Sequence, residues 1–547
     1  MNLNEAIQVM TTEITAILGE NALSAYLYGS VALDDFKLGW SDIDILVLTK
    51  HEISAEQAQR LIELRQILLT KYPGNPYFRS FEGGMLSLEA FINQTSERMV
   101  YWGTSGQRIT DRYYFDNFCM TELLDCGVLL YGEDVRNRFA RPSYGQLRGD
   151  VVRHYETIRK YAQKTDKSLY SFGWLLDIAR CIYTLRTGKI IAKTAAGEWA
   201  LENRMCPCAD TLKKAVEVRR DPLAARECGE VFKTAEYLGE DIQCFADVLE
   251  DEFGRTVKAF AESELSLMSI RYDSISQMQY KDGLSLRQVD QSGTSFVLKC
   301  FDKPDHRREI QNYKALSMLG IPTLKLVAST ACAILMEDIE TSSFRLGTAD
   351  DLNDMAVATL IANWYKVLHH KGAEYAQTHD LYDECDVLTL ENMAVVKRKT
   401  ATGNCPVWAF IKENFDKIKG IIMRLPRTLT YNDFYYTNLA VAHDGSSALM
   451  FDYNFLGKGY VYSDIRNVCS SLGEKAKAAF LSSYGEVDEV EVMADKVAST
   501  LTTLYFACEK NSFPSWAQSE LEKVKNGELL DALHVLLENE YEKCPTG

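Results

Sequence analysis

The chain has 547 residues, 46% hydrophobic and 25% charged, with a net charge of −17. That length is too great for one hydrophobic core, so two to four domains of ordinary folded composition are expected. So acidic a chain argues against nucleic acid as its main partner, since phosphate backbones require a basic face; an acidic surface suits cationic small molecules.

The N-terminal stretch MNLNEAIQVMTTEITAIL carries apolar residues at helical spacing with acids among them. It reads as a helix, not as a basic segment leading an apolar signal core. No apolar run is long enough to span a membrane. Two strand-like runs follow, LSAYLYG and IDILVLT, with Gly29-Ser30 at the end of the first and Asp42-Ile43-Asp44 at the start of the second. Side chains alternate along a strand, so Asp42 and Asp44 share a face. Mg²⁺ takes a few carboxylates together with substrate phosphates, and a Gly-Ser turn offers small residues and free N–H groups to phosphate. A helix over SAEQAQRLIELRQILLTKY precedes GGMLSLEAFI, read as a strand. Beside the Asp-x-Asp strand it would bring Glu89 to the same rim, where a general base is needed. This alternation predicts a small mixed-sheet domain over residues 1–140, closing near LLDCGVLLYGEDVR where the chain turns helical.

Residues 141–264 read as almost wholly helical, with apolar stripes in VVRHYETIRKYAQ, YSFGWLLDIARCIYTLRTG and CADTLKKAVEVRR and a helix stop at Gly188. Trp174 and Trp199 fit a packed core as well as a ligand platform, and Lys193 fits a solvated helix end as well as a ligand contact. Of 14 cysteines, only Cys206-Pro207-Cys208 forms a close pair, and no C-x-x-C spacing occurs. Reduced, buried thiols of a cytoplasmic protein are expected.

From residue 265 short strands appear, SISQMQY, LSLRQV and TSFVLKCF, separated by the turns KDG and DQSG. A helix over HRREIQNYKALSML and a strand over AILMEDI follow. The remainder is mostly helical, broken by TLTYNDFYYTNLAV and SSALMFDYNF. The order predicts a two-lobed unit, about 265–340 and 341–547. A strand Lys299 with a helix Glu309 ten residues on is how kinase-like folds hold the α/β-phosphates. Asp433, Asn438 and Asp452 fall in the order base, metal ligand, metal ligand. AILMEDI would be the hinge, with the backbone of Glu337 and Ile339 facing adenine.

Gly29-Ser30 followed by Asp42-x-Asp44 resembles the nucleotidyltransferase superfamily. W174-L-L-D-I-A-R180 and T187-G-K-I-I-A-K193-T-A-A-G-E-W199-A-L are similar to the C-terminal helical domain of aminoglycoside (3″)(9) adenylyltransferases. That likeness runs over roughly residues 5–250 and includes LLYG at 129–132. It implies Asp42 and Asp44 as metal ligands, Gly29 and Ser30 as the triphosphate turn, Glu89 as base and Lys193 as a nucleotide contact. Trp174 and Asp177 would lie near the drug. The implied reaction is transfer of AMP from MgATP to a hydroxyl of streptomycin or spectinomycin, the choice between them left open.

Residues 270–547 resemble the aminoglycoside phosphotransferase family within the protein-kinase-like fold. The resemblance implies Asp433 as catalytic residue, Asn438 and Asp452 as Mg²⁺ ligands, and Lys299 with Glu309 as the phosphate-positioning pair. Two departures stand out: Tyr431 replaces the usual His, and YKDGLS has only Gly283. The expected whole is a multidomain α/β protein with a mixed-sheet nucleotidyltransferase domain, an α-helical bundle domain and a kinase-like domain. Its expected role is bifunctional modification of aminoglycosides or aminocyclitols with Mg²⁺ and ATP, GTP being an option for the kinase-like half. It would act on small molecules, without nucleic acid or membrane, as a cytoplasmic monomer or homodimer. Two alternatives are an adenylyltransferase with a non-catalytic kinase-like binding module, and a nucleotidyltransferase that AMPylates protein.

Overall fold

The apolar runs around the Gly-Ser turn become central strands of a six-stranded sheet in a computed structural model that describes residues 1–103, 106–510 and 512–543. The chain divides into two units, Met1–Ser263 and Glu264–Gly547. The first begins with α1 (Leu3–Leu18), β1 (Ala22–Tyr28), the single turn α2 (Gly29–Ala32), β2 (Ile43–Thr49) and α3 (Ala55–Lys71). It continues through β3 (Phe81–Ser87), α4 (Leu88–Asn93), β4 (Met99–Gly103), β5 (Gly106–Thr110), α5 (Asn117–Asp125) and β6 (Val128–Gly132). The strand order is β5-β4-β3-β2-β1-β6. β2 runs antiparallel to β1 and parallel to β3, so the sheet is mixed, as expected.

Period-2 alternation explains how β2 is covered on both faces. Ile43, Ile45 and Val47 pack with residues of α1 and α3 on one side. Leu46 and Leu48 pack on the other with Phe91 of α4 and Leu123 of α5. Asp44 belongs to the second face. The segment GGMLSLEAFI is not one strand. Ser87 ends β3 because its Oγ accepts the Ala90 N–H at 3.1 Å and starts α4 as an N-cap. Three strands of this sheet escaped the sequence reading, β4, β5 and β6. LLYG thus ends the sheet domain as an edge strand beside β1, not as a turn into helix.

Helices then follow one another: α6 (Tyr144–Tyr161), α7 (Gly173–Thr187), α8 (Lys193–Glu202), α9 (Ala209–Arg220), α10 (Pro222–Glu227), α11 (Gly229–Ala235) and α12 (Gly239–Leu267). Their apolar stripes share one core that includes Leu175, Ile182, Ala196, Leu212 and Phe245. Gly188 does stop α7, in a left-handed conformation at φ +68°.

The second unit opens with β7 (Ser274–Lys281), β8 (Leu284–Gln291) and β9 (Thr294–Phe301). Both connecting turns have two positive-φ residues, Asp282-Gly283 and Ser292-Gly293, the geometry that tight hairpins require. Next come α13 (Arg308–Met318), β10 (Leu326–Ser329) and β11 (Ala333–Glu337), completing a sheet of order β10-β11-β9-β8-β7. The rest is mainly helical: β12 (Phe344–Leu346), α14 (Met355–Thr378), α15 (Leu390–Lys399), α16 (Val407–Arg424), β13 (Thr428–Thr430), β14 (Leu439–Ala442), β15 (Ala448–Met450), β16 (Gly457–Gly459) and α17 (Val461–Ser471). It ends with α18 (Glu474–Tyr484), α19 (Glu489–Cys508), α20 (Gln518–Asn526) and α21 (Glu528–Lys543).

The cysteines match the expectation only in part. Cys181, Cys206, Cys300, Cys385 and Cys508 are buried and outside any disulfide, but Cys126, Cys228 and Cys244 are exposed. Among the described residues no helix is long and apolar enough to cross a membrane.

Candidate active sites

In the first unit, β1 ends at Tyr28, paired opposite Asp44, and the chain turns at Gly29 with φ +65°. A Cβ on Gly29 would stand 2.1 Å from Asp44 Oδ2. Only glycine permits both this backbone and a carboxylate lying over it. Ser30 Oγ donates to the Asp42 carbonyl at 3.2 Å, tying the turn to the strand that bears the acids.

Across the parallel pair, Asp44 stands in register with Glu82 at the start of β3. Glu82 accepts a 2.7 Å hydrogen bond from Tyr101 Oη. Asp42, Asp44 and Glu82 therefore crowd one rim. Burial, then the charge of Glu82, pushes the Asp42 carboxyl up to about 6. Burial, then Glu122, Asp42 and Glu82, pushes Asp44 up to about 8. Lys193 opposes both shifts, and Arg65 opposes the one at Asp42.

Cations from the helices face this rim. Lys193, the first residue of α8, pairs with Asp177 at 2.7 Å. Arg180 of α7 pairs with the buried Glu122 of α5 at 2.9 Å. Burial works to raise the Asp177 carboxyl, but Lys193 and Arg180 outweigh it and hold that group below the usual carboxylate range.

Two cavities meet at the rim. One, of about 300 Å³, is walled by Gly29, Ser30, Asp44, Arg180 and Lys193. The other, of about 580 Å³, is walled by Glu82, Arg65, Arg79, Gly103 and Arg226. Asp42, Trp40, Ser41 and Tyr170 line both.

Among the residues expected from sequence, the structure brings together Gly29, Ser30, Asp42, Asp44 and Lys193, with Asp177 one contact behind Lys193. It does not bring Glu89. That residue is exposed on α4, accepts from Asn93 Nδ2 at 2.6 Å, and lies past the far end of β3, roughly 17 Å of strand away from Glu82. The third carboxylate at the rim is Glu82. The Ser87 cap preceding Leu-Glu-Ala-Phe was the signal that the strand had already ended. Trp174 is half-buried against the helical core and lines neither cavity. Trp199 stacks edge-on with Tyr183 at 5.2 Å.

The donor set fits Mg²⁺. Two adjacent carboxylates are available, and that ion completes its octahedron with water and phosphate oxygens. Among the described residues no three His, Cys, Asp or Glu side chains are gathered to cage a metal by themselves.

In the second unit, Lys299 on β9 reaches Glu309 of α13 at 2.7 Å and Asp452 at 3.0 Å. Burial works against the Lys299 charge, but Glu309 and Asp452 prevail and raise its affinity for the proton. Burial pushes Glu309 up to about 7 even with that partner. Asn438 Nδ2 donates to Asp433 Oδ2 at 3.2 Å. Burial, then the charge of Asp452, raises Asp433 as well. Asn432 and Asp452 both have φ +63°, strained for residues with a side chain.

The loop carrying Asp433 is over-determined. The N–H groups of Tyr431 and Asn432 donate to Asp464 at 2.8 and 2.9 Å, and His369 Nε2 lies 3.1 Å from the same carboxylate. Tyr431 is buried and its hydroxyl donates to the Phe451 carbonyl at 2.5 Å, next to Asp452. At the end of β11, the Glu337 side chain accepts the Lys325 N–H at 2.6 Å. Asp338 accepts from Ser295 Oγ at 2.6 Å, and Ile339 is buried in the following turn.

Residues 13–74 match the family described as nucleotidyltransferase domain, and residues 149–240 match aminoglycoside adenylyltransferase, C-terminal domain. The first unit thus carries matches to both of these domains, and the chain is an enzyme of the transferase class. No curated protein matches the chain. Solved structures similar to it include spectinomycin adenyltransferase AAD(9) from Enterococcus faecialis with ATP and spectinomycin, 18% identical, covering 46% of this chain and 100% of that one with a TM-score of 0.36. Choline kinase LicA from Streptococcus pneumoniae is 14% identical, covering 50% and 98% with a TM-score of 0.36. Spectinomycin phosphotransferase APH(9)-Ia with ADP and spectinomycin is 12% identical, covering 49% and 93% with a TM-score of 0.30.

Proposed function

We propose that this chain is a bifunctional drug-modifying enzyme. Its first half transfers AMP from ATP to a hydroxyl of an aminoglycoside or aminocyclitol such as streptomycin or spectinomycin. Its second half transfers a phosphoryl group from ATP to a hydroxyl of the same class of compound, with GTP as a donor to be tested. It acts in the cytoplasm, where the donors are made, as a monomer or homodimer. The observation that carries the first activity is the convergence of Asp42, Asp44 and Glu82 where two cavities meet, within residues matching an adenylyltransferase.

In this reading the smaller cavity takes the nucleotide. Ser30 and Lys193 hold the triphosphate, and Asp42 and Asp44 hold Mg²⁺, which neutralises charge on the phosphates when bound. The acceptor fills the larger cavity with its hydroxyl at Glu82. Glu82 removes the hydroxyl proton as the acceptor oxygen attacks the α-phosphorus. The new O–P bond forms in line with the breaking bond to the β-phosphate oxygen, and pyrophosphate leaves.

In the second half, Lys299, fixed by Glu309, orients the α/β-phosphates, and Asn438 and Asp452 would hold Mg²⁺, which would offset phosphate charge. Asp433 accepts the proton of the acceptor hydroxyl. The packing of Tyr431 under this loop supports activity despite the missing His.

Mass spectrometry of an aminoglycoside and aminocyclitol panel incubated with the protein, Mg²⁺ and ATP or GTP tests both halves. The expected outcome is an AMP adduct lost only in Asp42→Asn and a phosphate adduct lost only in Asp433→Asn. An AMP adduct with no phosphate adduct would reduce the second half to a binding module. No adduct on any compound would overturn the drug assignment.

A further inference from the structure

Asp35 sits in the loop between α2 and β2, five residues past Ser30 and seven before Asp42. It is only 5% exposed, yet its carboxylate gathers donors from separate parts of the first unit. Thr194 Oγ1 donates to Oδ1 at 2.7 Å and the Thr194 N–H donates to Oδ2 at 3.3 Å. Arg219 of α9 donates to Oδ2 through Nε at 3.1 Å and Nη2 at 3.0 Å. Lys37 Nζ lies 3.7 Å from Oδ1. The N–H of Asp35 itself donates to the Ser30 carbonyl at 2.8 Å.

Thr194 is the second residue of α8, directly after Lys193. The first N–H groups of a helix lack partners within it and need an outside acceptor. The residue before α8 is Ala192, which has no side chain to serve. Asp35 supplies that acceptor from a loop 159 residues away in sequence. Asp35, Lys193 and Arg219 all line the same cavity. An unpaired carboxylate there would repel a triphosphate; paired with Arg219, it caps α8 with its charge balanced.

We propose that Asp35, with Arg219 as its charge partner, is a positioning residue for the nucleotide. By capping α8 from the loop that joins Ser30 to Asp42, it fixes Lys193 relative to the phosphate turn and the metal ligands. This rests on the adenylyl-transfer reading of the first half.

The test compares Thr194→Val, Thr194→Ser and Asp35→Asn in the full chain, reading AMP transfer and thermal unfolding. Thr194→Val removes the hydroxyl bond without altering charge. It should lower kcat/KM for MgATP about three- to tenfold while leaving the acceptor KM unchanged. Thr194→Ser should restore it. Asp35→Asn should lower it further and also lower the melting temperature, because Arg219 loses its counter-charge. Titration with Mg²⁺ and α,β-methylene-ATP, in a Lys299→Met background that removes the second nucleotide site, should show the same order of weakening. If Thr194→Val and Asp35→Asn change stability but leave kcat/KM for MgATP within about twofold of wild type, Asp35 only holds the fold and the proposal fails. If wild type neither transfers AMP nor binds the analogue in that background, the adenylyl-transfer reading fails first.

Discussion

The Asp44 carboxylate fills the space where a side chain on Gly29 would stand, with Oδ2 2.1 Å from the Cβ position. The Gly-Ser turn and the Asp-x-Asp strand are therefore one object, two motifs coupled by contact. Gly29→Ala must displace Asp44 and also hold alanine at φ +65°. We expect AMP transfer to fall by ~100-fold or more and stability to fall by about 1–3 kcal/mol, with phosphoryl transfer intact. Assaying both activities in one preparation checks this; equal losses of the two would contradict a local effect.

Glu82 and Glu89 offer a sharper comparison, because only the first lies in register with Asp44. Glu82→Gln preserves shape and the contact with Tyr101 but cannot take a proton. AMP transfer should drop ~10²–10⁴-fold, the range expected for a lost general base. Glu89→Gln, on the exposed face of α4, should leave the rate within about twofold. Single-turnover kinetics of both variants decides it, and a large loss in Glu89→Gln alone would reverse the assignment.

The same rim sets a pH dependence. Burial and neighbouring acids push Asp42 to about 6 and Asp44 to about 8, from 3.8 for an ordinary aspartate. Without a cation, the folded form then binds protons more tightly than the unfolded form. The stability these groups contribute is present at acid pH and declines as pH rises from about 4 to about 8. Mg²⁺ competes with those protons, so its affinity should climb between about pH 6 and 8 with protons released on binding. Calorimetry in two buffers of different ionisation enthalpy measures that release. A Mg²⁺ affinity that is flat across this range would rule out the linkage.

Lys299 and Glu309 are both buried and in contact. Lys299→Met leaves Glu309 without a cation and should destabilise the second unit by ~3–5 kcal/mol. Lys299→Met with Glu309→Leu replaces the pair with apolar groups and should recover most of that loss. Neither variant should transfer phosphate. Thermal melts followed by the phosphoryl-transfer assay separate the pair's two roles; recovered activity in the double variant would remove Lys299 from phosphate positioning.

Local pattern carried much of this architecture. The run IDILVLT was legible as a strand, and the hairpin turns at Asp282-Gly283 and Ser292-Gly293 were legible from KDG and DQSG, whose glycines suit positive φ. The Lys299–Glu309 pair was legible because its strand and helix each carry a local pattern, whereas the contact of Lys299 with Asp452 crosses 153 residues and was not. Glu82 was missed because its place depends on where a strand ends. Ser87 decides that by capping α4, and capping competes with an apolar pattern that continues through Leu88 and Phe91. The pairing of Arg180 with Glu122 was hidden for another reason: nothing local marks two charges that meet across 58 residues of sequence. The edge strand β6 carried too little burial to stand out, since several of its residues remain exposed.

Asp42 is a wall common to two rooms. In the proposed reaction, donor and acceptor occupy the two cavities whose shared lining is Trp40, Ser41, Asp42 and Tyr170. A molecule that joins an adenylate group to an aminocyclitol through a linker spanning that lining would occupy both rooms at once. Its second half would bind at the high effective concentration set by the linker, so affinity should greatly exceed that of either fragment. The shared wall thus makes a two-cavity ligand the natural form of an inhibitor selective for the first half of the chain.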